Sequence, residues 1–210
     1  MMIDASALRV AGLLASRLCH DLVGPLGAVN NGLELIAEED DMAKEALGLA
    51  QRSAKRASSR LQFFRYAFGA AGGEPNFGHG EARPIVLNLL GNGDIAMDWP
   101  DAKGVELPAG AGRLLLNLAL LASECLPRGG NVKVSLAANR VTMEASGPQA
   151  RLPVETKAAM NGSVAPAQLT ARTVVGYYVM QLASGIGAKL DMTDESAGTV
   201  RFQTVFAAGK

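Results

Sequence analysis

The 210-residue sequence predicts an α+β fold in two parts. Residues 1–73 form an antiparallel helical hairpin that pairs with a second copy into a dimeric four-helix bundle, and residues 74–210 form a two-layer α/β sandwich. Three observations carry this reading. Two consecutive stretches place apolar residues at alternating spacings of four and three, the seam of a helical bundle. A glycine-rich segment from Gly69 to Gly80 then interrupts the helical pattern. Beyond it, helical runs give way to short alternating segments, the order of an α+β domain.

The seam of the first stretch is Leu18, Leu22, Pro25, Val29, Gly32 and Ile36; that of the second is Leu47, Ala50, Ala54, Ala57, Leu61, Phe64 and Phe68. Glu38-Glu39-Asp40-Asp41 between them reads as a tight acidic turn, so the helices run antiparallel. Two helices with narrow apolar seams do not enclose a core, whereas two such hairpins side by side do. A homodimer with an isologous two-fold interface is therefore expected. The alternative is that the C-terminal part covers the seam within one chain.

After the glycine-rich boundary, Arg83–Leu90 reads as a helix, Ile95–Trp99 as a short strand and Pro108–Leu126 as a long apolar helix. Val132–Leu136 and Val141–Ala145 alternate apolar and polar residues about a turn at Ala138-Asn139. Thr170–Ser184 reads as a further helix, with Leu190–Thr193 and Val200–Phe206 as closing strands. Helices followed by antiparallel strands give the sandwich.

Apolar residues make up 49% of the chain, enough for a packed core, and the formal net charge is +0. A neutral chain without a dense basic run argues against a nucleic-acid partner. Two cysteines, Cys19 and Cys125, and two histidines are too scattered for a metal site. Free thiols fit a reducing cytosol. Met1–Val10 lacks the basic and apolar signature of a signal peptide. The longest apolar stretch, Leu114–Leu126, is broken by Asn117, Ser123 and Glu124 and is too short to span a bilayer. A cytoplasmic protein with no membrane partner is expected.

The informative segment is Arg17-Leu18-Cys19-His20-Asp21-Leu22-Val23-Gly24-Pro25-Leu26. Each helical residue advances about 100°. With Leu18 and Leu22 in the seam, His20 lies midway between them on the solvent side. Gly24 and Gly27 continue along its face and leave the backbone bare, room for another protein to approach the imidazole. Glycine costs a helix about 1 kcal/mol relative to Ala, so two here point to a purpose. Pro25 removes the hydrogen bond to the carbonyl of Asp21, so a bend is expected just after His20. Asp21 is the natural partner for Nδ1–H, which would turn the Nε2 lone pair outward and make the ring more nucleophilic. Counting back from the turn puts His20 level with Arg60, and Arg56 one helical turn away. Cations there would offset negative charge arriving at the imidazole. Solvated surface arginines are the alternative.

His-Asp-Leu-x-x-Pro-Leu on a heptad seam, followed by a second heptad helix, resembles the H-box of sensor histidine kinases. The resemblance implies that His20 accepts phosphate, that Asp21 assists it, and that the hairpin is the dimerisation and phosphotransfer domain. The C-terminal half, roughly Glu81–Phe206, is similar to the kinase ATP-binding domain but lacks its ligand-holding residues. Leu114-Leu115-Leu116-Asn117-Leu118 resembles the start of the N-box helix, with Leu121 where the family holds magnesium through an Asn; Leu cannot coordinate a hard cation. Met143-Glu144-Ala145-Ser146-Gly147-Pro148-Gln149 matches the adenine-reading motif, with Ala145 in place of its Asp and Gln149 in place of its second glycine. The glycine-rich lid is reduced to Val174-Val175-Gly176-Tyr177-Tyr178. The G-x-G pairs Gly91/Gly93 and Gly110/Gly112 read as turn chemistry.

The combination resembles the ChpT-type histidine phosphotransferases of alphaproteobacteria over nearly the whole chain. That family implies reversible transfer between a receiver aspartate and His20, with no cofactor bound by this chain and Mg2+ on the receiver. The implied partners are a second copy of the chain, the receiver domain of a hybrid histidine kinase, and downstream response regulators. Arg17, Gly24, Gly27, Arg56, Arg60 and Arg172 are the expected receiver contacts, Arg172 because receiver active sites are acidic. The alternatives are an active histidine kinase with a divergent ATP site, a non-catalytic dimeric adaptor that binds receivers, and a helical dimeriser without a signalling role.

Overall fold

The computed structural model describes residues 4–38, 42–74, 77–91, 93–195 and 198–207. Glu39, Asp40 and Asp41 of the expected acidic turn, and Pro75 of the linker, lie outside the described residues. Helix α1 (Ala5–Glu38) and helix α2 (Ala43–Ala67) form the hairpin. It is antiparallel: Gly32 on α1 packs against Ala46 and Ala50 on α2, while Asp21 lies beside Arg60. The approach at Gly32 is close, since a Cβ there would stand 3.0 Å from both the Ala46 carbonyl oxygen and the Ala50 Cβ. Helix α1 runs through Pro25 as one continuous helix.

The expected single seam of α2 divides in two. Ala50, Ala57 and Phe64 are buried, together with Ala46 and Ser53. Leu47 and Leu61 stay 47% and 55% exposed. Leu26 and Leu33 on α1 are 51% and 53% exposed. A seven-residue repeat cannot distinguish a residue facing its own partner helix from one a hundred degrees away facing a second hairpin.

The base of the hairpin merges with the C-terminal part. One apolar core takes in Leu14, Phe63, Phe64 and Ala67 along with Phe77, Leu114, Val175 and Phe202. Phe64 stacks on Phe68, which meets Tyr178 edge-on, and Tyr66 stacks on Phe77. Polar ties reinforce the junction. Asn117, fully buried, donates its amide to the carbonyls of Ala67 at 3.0 Å and Arg113 at 2.9 Å. Arg113 donates to the Gly69 carbonyl, and Arg9 to those of Pro166 and Leu169. The C-terminal part thus covers the lower seam within the chain, while the upper flank stays open.

After a 3-10 turn at Ala70–Gly73, helix α3 (His79–Leu90) starts earlier than the expected Arg83, because the Glu81 carboxylate accepts the Gly78 amide at 2.9 Å. Strand β1 (Ile95–Asp98) leads through helix α4 (Ala111–Glu124) to strand β2 (Gly130–Ala137), and strand β3 (Arg140–Ser146) follows. Helix α5 (Val154–Met160) and helix α6 (Val174–Gly185) precede strands β4 (Ala188–Glu195) and β5 (Thr199–Phe206). The sheet order is β1-β2-β3-β5-β4. The expectation of antiparallel strands holds except at one edge: β1 pairs parallel to β2, the pairing that an intervening helix permits and a tight turn does not. The expected turn at Ala138-Asn139 is set by the register Ala137↔Arg140.

Val132, Val134, Val141, Met143, Val200 and Phe202 point from the sheet into the core. Glu144 and Arg201 pair across strands on the other face at 2.9 Å. Helix α4 is buried almost all round, with Leu114, Leu115, Leu116, Leu118 and Leu121 at no more than 1% exposure, as befits a helix enclosed on every side. Helix α5 had no counterpart in the sequence reading. It packs so closely on α6 that a Cβ on Gly176 would sit 2.9 Å from the Thr156 methyl, which accounts for the glycine there. Helix α6 begins at Val174 rather than Thr170, because Thr170 and Thr173 fold into a turn in which the Thr173 hydroxyl accepts the Thr170 amide at 3.0 Å. Among the described residues, no helix is long and apolar enough to cross a membrane.

Candidate functional site

His20 projects from the middle of α1 with 84% of its side chain exposed. The helix presents Leu18 and Leu22 inward, and the residue midway between them faces outward. Its Nδ1 lies 3.1 Å from Asp21 Oδ1. An ionised carboxylate only accepts, so a neutral ring bonded this way carries its proton on Nδ1 and its lone pair on Nε2. Nε2 faces solvent with the rest of the ring.

Asp21 is itself held. Its side chain is only 15% exposed. Arg17 Nε donates to Asp21 Oδ2 at 3.2 Å, one helical turn earlier on α1. Arg17 Nη2 donates to Glu124 Oε1 at 2.6 Å, at the C-terminal end of α4. Arg60 Nη1 approaches the same Asp21 oxygen from α2 at 3.8 Å. Two guanidinium groups hold the orientation of this carboxylate. Arg17 is held above its ordinary range: burial works against its charge, but Glu124 and Asp21 beside it outweigh that. Burial pushes the Glu124 carboxyl up, with Arg17 opposing.

A cavity of about 610 Å³ opens beside His20 between α1 and the C-terminal part, lined by Arg17, Asp21, Glu124, Thr156 and Arg172 among others. The structure therefore brings His20, Asp21, Arg17 and Arg172 to one place, with Arg60 at its edge through Asp21. Gly24 and Gly27 stand open, with nothing within 4 Å of a Cβ built on either. Arg56 lies elsewhere: with Arg52, Lys55 and Arg60 it lines a cationic groove of about 390 Å³ against Asn88 and Leu89 of α3. Arg17, expected as a receiver contact, is 16% exposed and engaged with two carboxylates. An apolar cavity of about 660 Å³ lies further toward the start of α1, against Phe64, Phe68, Tyr177 and Tyr178. Sequence reasoning missed Glu124, although an acid closing the apolar run Leu114–Leu126 was a visible signal. It also missed the contribution of α5, whose Thr156 lines the cavity.

At the positions compared with the kinase ATP site, Leu121 and Ala145 are 1% and 0% exposed, pointing into the core. Asn117 gives its amide to backbone carbonyls. Gln149 keeps a left-handed backbone at φ 61°, a conformation that favours glycine.

A helical hairpin that offers an exposed histidine with a carboxylate on its Nδ1, joined to an α/β sandwich, is an arrangement that fits a phosphotransferase of the histidine type. Comparison with known proteins agrees. Residues 79–198 match the family model of the histidine phosphotransferase C-terminal domain. The chain is 36% identical over 195 residues to the protein phosphotransferase ChpT of Brucella abortus (strain 2308), covering 90% of this chain and 92% of that one. It superimposes on a solved bacterial phosphotransferase with a TM-score of 0.81 at 33% identity, covering 97% of this chain and 98% of the other. The chain belongs to the ChpT-type histidine phosphotransferase family.

Proposed function

We propose that this phosphotransferase is a phosphorelay intermediate that carries the phosphoryl group on His20 between receiver-domain aspartates. The observation that carries the reading is the imidazole itself, 84% exposed, with Nδ1 held by Asp21 and Nε2 outward. The Nε2 lone pair attacks the phosphorus of an aspartyl phosphate on a docked receiver. The N–P bond forms as the P–O bond to the aspartate breaks, and the carboxylate leaves. Nδ1–H stays bonded to Asp21, which offsets the positive charge of the phosphorylated ring. A second receiver's aspartate reverses the step. Transfer of this kind needs in-line positioning and charge stabilisation more than covalent chemistry.

The donor is the receiver of a hybrid histidine kinase, and the acceptors are downstream response regulators. Magnesium belongs to the receiver, and this chain takes no ATP. Arg172 beside His20, Arg60 and Arg56 on α2, and the open backbone at Gly24 and Gly27 meet the acidic rim of the receiver. Two chains pair through the exposed leucines of the hairpin.

The test is transfer of radiolabelled phosphate. Label is expected on the protein when it is mixed with a phosphorylated receiver, but not with ATP alone, and to vanish in His20→Ala. Label from ATP alone would make the protein a kinase. No label from a panel of receivers would leave it an adaptor.

A further inference from the structure

Glu124 occupies a poor place for an acid. It ends the buried helix α4, where the helix dipole is negative, and its side chain is only 20% exposed. Its partner is Arg17, which divides its guanidinium between two carboxylates. Nη2 bonds Glu124 Oε1 at 2.6 Å and Nε bonds Asp21 Oδ2 at 3.2 Å. Arg17 therefore takes one oxygen of Asp21, and the other, Oδ1, is left for His20 Nδ1 at 3.1 Å. A guanidinium facing a single carboxylate tends instead to bind both of its oxygens in a parallel fork. Without Glu124, Arg17 would close on both oxygens of Asp21 and compete with His20 for Oδ1.

We propose that Glu124 is a positioning residue for phosphoryl transfer: by holding one edge of Arg17 it keeps Asp21 Oδ1 available to His20 Nδ1, and so fixes the tautomer and orientation of the imidazole. The C-terminal part then contributes to the readiness of a nucleophile carried by the hairpin. Any movement of α4 relative to α1 is felt at His20 through the chain Glu124–Arg17–Asp21. The inference rests on His20 being the phosphoryl acceptor.

The imidazole of His20 is read directly by nitrogen NMR of the full-length protein at a pH where the ring is neutral, with no receiver present. In the wild type the Nδ1–H tautomer is expected to dominate. Glu124→Leu, which leaves no acceptor for Arg17, shifts His20 toward Nε2–H and slows transfer from a phosphorylated receiver about tenfold, while the double variant Glu124→Leu/Arg17→Met, which also removes the competing guanidinium, returns the ring to the Nδ1–H tautomer. A tether that merely joined the two parts would behave in the opposite way, the double variant being no better than the single one. Thermal unfolding identifies any variant that fails to fold, and the wild-type tautomer needs no variant at all. Dominant Nε2–H in the wild type, an unchanged tautomer in Glu124→Leu, or no return to Nδ1–H in the double variant would each overturn the proposal. Failure of every receiver to label His20, with these tautomer shifts intact, would count against the acceptor reading and leave the linkage standing.

Discussion

Arg60 on α2 stands beside Asp21 on α1, its Nη1 3.8 Å from Asp21 Oδ2. The relationship fixes the register of the hairpin at the level of His20. It also places a second cation behind the carboxylate that orients the ring. Arg60 is 38% exposed, so its charge is largely screened and contributes little to folding. Under the proposed transfer, its influence would fall on the charge that builds up on a phosphorylated His20. Arg60→Met should leave the unfolding free energy within about 0.5 kcal/mol of wild type. It should slow phosphotransfer about fivefold, equivalent to ~1 kcal/mol of barrier. Denaturant unfolding and quenched-flow transfer measure the two. Equal rates would remove Arg60 from the site.

Asn117 joins the hairpin to the sandwich. Its amide satisfies the Ala67 carbonyl at the end of α2 from a fully buried position. In Asn117→Ala that carbonyl and the Arg113 carbonyl lose their shared donor. The expected loss of stability is about 1–3 kcal/mol, the penalty for a buried polar group left without its partner. His20 and Asp21 are untouched, so transfer measured well below the melting temperature should stay close to wild type. A stability change under about 0.5 kcal/mol would show that water or a neighbouring group replaces the amide.

Much of this arrangement could be read from residue spacing, because the periods of helix and strand leave direct marks. The heptads of α1 and α2, the alternation of β2, β3 and β5, and the outward turn of His20 all follow from such local rules. What escaped was long-range or short of signal. Arg17 and Glu124 are 107 residues apart, and nothing local ties them. Helix α5 spans seven residues after Pro153, too few for an apolar stripe to repeat. The parallel edge at β1 is a matter of sheet order, which alternation cannot specify. The α2 heptad concealed two faces, one turned to α1 and one left open.

The two thiols should behave differently. Cys125 is buried at the end of α4, and burial, with Glu124 and Asp194 nearby, pushes its thiol up from 9.0 to about 12. Cys19 is exposed next to His20. A raised thiol pKa contributes stability that is complete below pH 9.0 and is lost as pH rises through about 12. At neutral pH Cys125 stays a protonated, enclosed thiol and does not react. Ellman's reagent on the native protein should therefore release one equivalent of thiolate, from Cys19, and a second only after denaturation. A bulky adduct at Cys19 should also slow transfer at His20. Two fast equivalents from the native protein would contradict the enclosure of Cys125.

Leu26, Leu33, Leu47 and Leu61 define the open flank of the hairpin, each about half exposed. Leu33 follows Gly32 and Leu47 follows Ala46, two positions in contact between the helices. In an antiparallel pair, a step of about 100° from each turns both leucines to the same side. His20 lies about 140° around α1 from Leu33 by the same counting, so a partner seated on the leucines leaves the imidazole free. Fully burying a leucine contributes about 1.5–3 kcal/mol, and these begin half covered, so four on each chain supply several kcal/mol to a dimer. Leu33→Glu together with Leu47→Glu places like charges across the two-fold interface and strips its apolar contact. Light scattering should give a dimer for the wild type and a monomer for this variant at the same concentration. Helical circular dichroism should be largely retained, because the base of the hairpin is packed on its own C-terminal part. A wild-type monomer, or a variant that stays dimeric, would place the interface elsewhere.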